Sequence, residues 1–235
     1  MRNSHRVLHG LSLVLLITAL FFTSMPAHAV EATLEDETAL CEGYPIPNQS
    51  SGVSEAEEST FLPLIPHESR GLLSYINVYV SSPCDQYWRS EFSSNWMYMA
   101  NYAVEVGDNF LANKFNIDYY SVAQNYWTNS VSDSYDQYYS AKNNVGKTNG
   151  ADLMIAFSAK DTQFGGLGAS DGYCLAWYFD YAGIDYTCNT VTHESGHMYG
   201  VHVDGGCSAP CLMSGTPNTI CSDCYRTWNA NKYKW

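Results

Sequence analysis

The chain has 235 residues, 46% of them hydrophobic and only 15% charged, which suffices for one well-buried domain with appendages. Acidic residues outnumber basic ones by 24 to 11, a formal net charge of −13. A surface of that sign repels phosphate backbones and argues against DNA or RNA as a partner.

Arg2 and Arg6 precede an apolar run from Leu11 to Phe22, and Ala27-His28-Ala29 fits a small-x-small cleavage site. Residues 1–29 therefore read as a secretory signal, with an uncleaved anchor as the alternative. The run falls short of the roughly 20 apolar residues that a membrane span needs. No other stretch is longer and as apolar, so the expectation is a secreted protein with no stable membrane insertion once the signal is cleaved. Cleavage would leave nine basic residues against 24 acidic ones, a net charge of −15.

Residues 30–70 differ in composition. The first forty of them carry nine Asp or Glu and no Lys or Arg, with turn-rich stretches such as Tyr44-Pro45-Ile46-Pro47-Asn48. This segment reads as an acidic propeptide or linker. Its His67-Glu68 pair has no second histidine four residues on and is given no metal role.

A folded domain is expected over 71–235. Leu72 to Val80 reads as a first strand. From Ser90 to Lys114, the spacing of Trp96, Met97, Ala100, Ala103, Val104 and Phe110 predicts a long amphipathic helix. Phe115 to Trp127 reads as extended, Ser134 to Lys142 as a second helix, and Ala151 to Phe157 as a buried strand between turn signals. Helices alternating with strands imply an α/β domain with a mostly parallel twisted sheet. Ser222 to Lys232 is expected to form a capped helix that closes the chain.

Chemistry concentrates in His193-Glu194-Ser195-Gly196-His197. Histidines four apart on a helix share one face and can grip one ion, while Glu194 beside the first reaches a water without ligating the metal. The helix is expected to start near Asn189 or Thr190, either of which is a capping residue. Gly200 is placed to end it by adopting positive φ and turning the chain back. The chain has seven histidines, and beyond residue 70 only His193, His197 and His202 remain. A domain that uses histidine nowhere else yet sets three within ten residues uses them together.

These residues resemble the metzincin zinc metallopeptidases, in particular the adamalysin/reprolysin-like branch, whose pattern is HExxHxxGxxHD followed by a methionine turn. The chain reads His193-Glu194-Ser195-Gly196-His197-Met198-Tyr199-Gly200-Val201-His202-Val203-Asp204. Cys211-Leu212-Met213-Ser214-Gly215 is similar to the methionine turn, which supports the site from beneath. Gly166-Leu167-Gly168-Ala169 resembles the family's antiparallel substrate-binding edge strand. The resemblance implies one catalytic Zn2+ ion, a long active-site helix and a small C-terminal subdomain. It departs from the family at the third ligand: Val203 occupies that place, so His202, one residue early, or Asp204 must serve instead.

There are eight cysteines: Cys41, Cys84, Cys174, Cys188, Cys207, Cys211, Cys221 and Cys224. An even count behind a secretion signal predicts disulfides, with Cys174–Cys188 and Cys41–Cys84 as pairs; Cys41 as a latency thiol on zinc is the alternative to the latter. Cys207-x3-Cys211 with Cys221-x2-Cys224 also fits a four-thiolate zinc site, the reading set against disulfides.

The function expected is a secreted zinc metalloendopeptidase acting on protein or peptide substrates, with a zinc-activated water and Glu194 as general base. A secreted binding or structural module with a degenerate zinc site is the competing reading. The sequence leaves oligomeric state open.

Overall fold

The computed structural model describes residues 74–202, 207 and 210–235. The segments read as signal and acidic linker, Cys41, Asp204 and the proposed domain start at Gly71 lie outside them. No helix among the described residues is long and apolar enough to cross a membrane.

The elements run β1 (Ile76–Ser81), α1 (Gln86–Phe92), α2 (Trp96–Gly107), α3 (Asn109–Phe115), β2 (Ile117–Ala123), α4 (Ser134–Asn144), β3 (Leu153–Ser158), β4 (Gly166–Ala169), β5 (Tyr173–Trp177), α5 (Gly183–Met198) and α6 (Ser222–Asn231). One five-stranded sheet has the order β2-β1-β3-β5-β4. Its pairs are parallel except β4 against β5, so β4 is an antiparallel edge strand. The α/β architecture with a mostly parallel sheet is as expected.

Side-chain alternation along β3 divides the core into two layers. Leu153, Ile155 and Phe157 face a cluster with Trp88, Phe115, Val191, Met213 and Trp228; Met154 and Ala156 face a second with Tyr138, Ala141, Leu175 and Trp177. A strand buried on both faces needs apolar residues at consecutive positions, which is why β3 reads as an unbroken run.

The long helix expected over 90–114 is three pieces. A 3-10 turn at Ser93–Asn95 separates α1 from α2, and Asp108 separates α2 from α3. Asp108 is fully buried, and its carboxylate accepts from the backbone N–H of Tyr119 at 2.7 Å. That bond to β2 competes with straight continuation of the helix. Asn116, in the left-handed conformation at φ 56°, then turns the chain into β2. The N-cap residue of α6 is Cys221, whose side chain makes no capping hydrogen bond, contrary to the capped helix expected. Strand β5 is not among the strands read from the sequence.

A second buried carboxylate ties α1 to the sheet. Asp85 accepts from Trp88 N at 2.8 Å, from Ser158 Oγ at 2.6 Å and from Asn129 Nδ2 at 3.0 Å. Removing it orphans three buried donors, so Asp85→Ala should cost about 2–4 kcal/mol. The check is urea unfolding at neutral pH: a markedly lower midpoint is expected, with Asp85→Asn falling between the variant and wild type.

Candidate functional site

Helix α5 begins at Gly183, two turns earlier than expected, so Asn189 and Thr190 lie inside it rather than at its cap. Every residue from Thr190 to Met198 is buried. The helix packs against α2, β4, β5 and the turn around Met213. Small residues make those approaches possible. A Cβ at Gly166 would lie 2.5 Å from Glu194 Oε1, and one at Gly168 would lie 2.8 Å from the Glu194 carbonyl and 2.9 Å from Oε2. A Cβ at Gly196 would collide with the Met213 sulfur. The glycines on β4 let the edge strand ride over Glu194, and the one on α5 seats the helix on Met213.

The turn expected at Met213 is present: Leu212–Ser214 form a 3-10 turn closed by Gly215 at φ 84°. Ser214 N and Thr216 N both donate to the Cys211 carbonyl at 2.9 Å. The Leu212 carbonyl is thereby aimed at α5, where it accepts from His193 Nδ1 at 2.9 Å.

The end of α5 fixes the second histidine. Val201 N donates to Gly196 O and Gly200 N to His197 O, each at 2.9 Å, with Gly200 at φ 80°. This is a Schellman cap with glycine at the left-handed position. It folds Val201 back so that its carbonyl accepts from His197 Nδ1 at 2.9 Å. Asn231 Nδ2 caps the Tyr199 carbonyl at 2.8 Å, and Lys234 Nζ the Met198 carbonyl at 3.0 Å, so the C-terminal segment secures the same helix end.

A carbonyl oxygen only accepts, so both Nδ1 atoms carry the proton and both Nε2 atoms present lone pairs. Those two Nε2 atoms lie 3.2 Å apart. Two acceptors facing at that distance repel unless a cation lies between them. Two imidazoles on a tetrahedral zinc at about 2.0–2.1 Å would have their nitrogens about 3.3 Å apart. The donor set therefore fits zinc. Burial pushes His193 down to about 4, and burial plus the neighbouring His193 push His197 down to about 3, so both rings are neutral and ready to ligate at ordinary pH.

Glu194 is fully buried beside the pair, one helical step from His193 and on the side of the edge strand. His202 follows the cap and is exposed; its ring lies 6.4 Å from that of His197, tilted by 25°. The structure thus brings His193, Glu194, His197, Gly166, Gly168 and Met213 together and sets His202 at the border of the group.

The cysteines depart from the disulfide expectation. All seven described cysteines are free, and no disulfide forms among the described residues. Cys174 lies on β5 near Glu194, whereas Cys188 lies on α5 and faces a cleft with Val106 and Asn109. Cys207, Cys211, Cys221 and Cys224 instead converge, with all four sulfurs within 4.8 Å of one another. Cys207 and Cys224 stand 3.5 Å apart, far beyond a bonded pair but close to the roughly 3.8 Å edge of a tetrahedral zinc–thiolate site. Burial pushes Cys207 up to about 12; at Cys221 burial is outweighed by hydrogen bonds from the Cys224 backbone and the neighbouring thiols, which bring it down to about 7. The thiol spacing carried this signal, and the disulfide reading set it aside.

No protein-family model matches the chain, and no curated protein matches it. Among solved structures, a chain of a chaperone–substrate complex is similar at 13% identity and a TM-score of 0.56, covering 69% of this chain and 36% of that one. The described chain therefore spans about a third of that relative, and the likeness shows fold alone. An archaemetzincin (amzA) from Methanopyrus kandleri aligns at 10% identity over 66% of this chain and 96% of that one. At a TM-score of 0.47, that likeness is too distant to assign chemistry.

The lowered histidine values predict acid sensitivity of the metal-free protein. Unfolded histidines titrate near about 6.5, so the folded chain resists protons that the unfolded chain accepts. The stability they contribute is fully present above that value and is lost as pH falls towards about 4 and 3. Thermal melting of metal-free protein should drop across this window, and the double variant His193→Gln/His197→Gln should flatten the dependence.

Proposed function

We propose that the chain is a secreted zinc metallopeptidase of metzincin type that hydrolyses peptide bonds in proteins or peptides. The observation that carries the reading is the pair of Nε2 lone pairs at 3.2 Å, each ring fixed through Nδ1 by a backbone carbonyl, with buried Glu194 alongside. The motif supports metzincin type; no observation favours the adamalysin/reprolysin-like branch, and the four-thiol cluster is not a feature that this resemblance implied. Secretion rests on residues 1–29 and belongs to the same proposal.

In this reading His193 and His197 hold the zinc, and His202 or Asp204 completes the set. Zinc, when bound, supplies Lewis acidity. Glu194 accepts the proton of the attacking water and passes it to the leaving amine. Its position under Gly166 and Gly168 keeps its carboxylate between helix and edge strand, shielded from bulk water. Among the described residues β4 pairs only with β5, so its other edge can hold an extended substrate by main-chain hydrogen bonds. Met213 supports the helix from below and takes no part in the chemistry.

Cys207, Cys211, Cys221 and Cys224 hold a second, structural zinc in this reading, which revises the single ion expected. Cys211 immediately precedes Leu212, and Cys221 and Cys224 lie at the start of α6. The ion would clamp the turn that orients His193 to the C-terminal helix that caps α5.

Glu194→Gln should lower kcat/KM by about 10²–10⁴-fold or more while leaving zinc content unchanged. Normal peptide hydrolysis by that variant would overturn the assigned chemistry. Zinc bound by wild type without cleavage of a diverse peptide library would favour the alternative, a binding module with a degenerate site, which the valine at 203 motivates. Purified protein should contain two zinc ions per chain. Cys224→Ser should reduce that to one and lower the melting temperature, and a count of one in wild type would refute the second ion.

A further inference from the structure

The turn between β4 and β5, residues 170–172, is gripped by three lysines. Lys142 pairs with the Asp171 carboxylate, Lys147 Nζ donates to the Asp171 carbonyl at 3.0 Å, and Lys234 Nζ donates to the Ser170 carbonyl. Lys234 reaches further. Its ammonium also donates to the Met198 carbonyl at 3.0 Å, and Met198 is the last residue of α5, directly after His197. An ammonium directs its three donors tetrahedrally, so one that serves two carbonyls holds them within about 5 Å of each other. Its charge also faces the negative end of the α5 dipole.

Packing places that ammonium. Lys234 N donates to the Asn231 carbonyl at 2.9 Å, which curls the chain after α6. The Trp235 ring is partly buried against the core, with Lys234 Nζ 4.7 Å and Lys147 Nζ 4.6 Å from its centroid. Gly172, at φ 85°, leaves the room: a Cβ there would lie 2.8 Å from both Lys147 Nζ and Trp235 Cη2.

Strand β4 needs such a fastening. It turns Gly166 and Gly168 towards α5, and Leu167 and Ala169 towards the second core layer. The glycines permit close approach to Glu194, but they carry no side chain that could key the strand to the helix. The geometry points to Lys234 as a positioning residue for peptide hydrolysis, which locks the edge strand in register with the helix that carries both histidines and Glu194. The inference rests on the peptidase reading above. A substrate paired with β4 takes its place from that strand, whereas the proton acceptor takes its place from α5. The reaction needs both in one frame, and a misplacement of about 1 Å can cost about 10²-fold. Lys234 touches neither substrate nor metal ligand; it acts through two backbone carbonyls.

The test uses zinc-loaded full-length protein and a quenched peptide long enough to span β4. Lys234→Met keeps the apolar stem and removes the donors. Its kcat should fall about tenfold while KM stays within about twofold, because main-chain pairing with β4 survives and alignment does not. Zinc content should be unchanged. Lys234→Arg, whose guanidinium can still serve two carbonyls, should recover kcat to within about threefold of wild type. A second readout needs no turnover. In metal-free Lys234→Met, hydrogen exchange should quicken together at the Gly172 amide, bonded to Ala169, and at the Gly200 and Val201 amides, bonded to His197 and Gly196. Lys142→Met, which frees the turn without touching α5, should quicken Gly172 alone. An unchanged kcat, a loss of zinc with the loss of kcat, no recovery with arginine, or quickened exchange in one segment only in Lys234→Met would each overturn the positioning role and leave the peptidase reading intact. Failure of wild type to cleave any peptide would overturn both, and the exchange arm would still report whether Lys234 holds the two segments together.

Discussion

Two hydrogen bonds from imidazole Nδ1 atoms to backbone carbonyls organise this protein's candidate centre. The Leu212 carbonyl takes one from His193, and the Val201 carbonyl takes the other from His197. Each bond fixes a tautomer and a ring orientation, and together they turn two nitrogen lone pairs towards one point. Second partners of this kind commonly fix histidine ligands and raise their basicity. Here neither partner is a side chain; both are products of tight turns, and a glycine makes each turn possible.

That dependence explains why so much of the fold is spent on one helix. α5 is buried along its C-terminal half, with a sheet edge on one side, α2 on another and the Met213 turn below. Each neighbour comes close through a glycine: Gly166 and Gly168 over Glu194, Gly107 against Val191, Gly196 over Met213. The C-terminal helix closes the arrangement, with Trp228 stacked on Phe115 and Tyr199, and with Asn231 and Lys234 bonded to the last carbonyls of α5. In such close packing a displacement anywhere along the rim is passed to the imidazoles.

The four thiols fit this logic. They sit where the Met213 turn, the approach to it and the start of α6 meet, a region with little regular secondary structure of its own. A metal held there would do for the C-terminal segment what hydrophobic burial does for the sheet, fastening the short turn whose Leu212 carbonyl orients His193.

Local periodicity determined a good deal. The unbroken apolar run of β3 and the helical spacing of α2 and α4 were legible because each depends on contacts that repeat every two or every three to four residues. The histidine motif was legible because its ligand spacing is a property of one helix, and Gly200 because a left-handed cap tolerates few other residues. The tertiary structure decided the rest. Asp108 breaks the long helix because its partner is a backbone N–H on β2, and α5 starts at Gly183, two turns before the capping residues read from the sequence. Cys174 lies on β5 and Cys188 on the face of α5 turned towards Val106 and Asn109, while four other cysteines meet where the Met213 turn approaches the start of α6. Glycines 166 and 168 were legible as part of an edge strand, but the reason for glycine there, the Glu194 carboxylate against them, is tertiary. Pairings between distant segments depend on where whole elements pack, and no spacing along the chain encodes that.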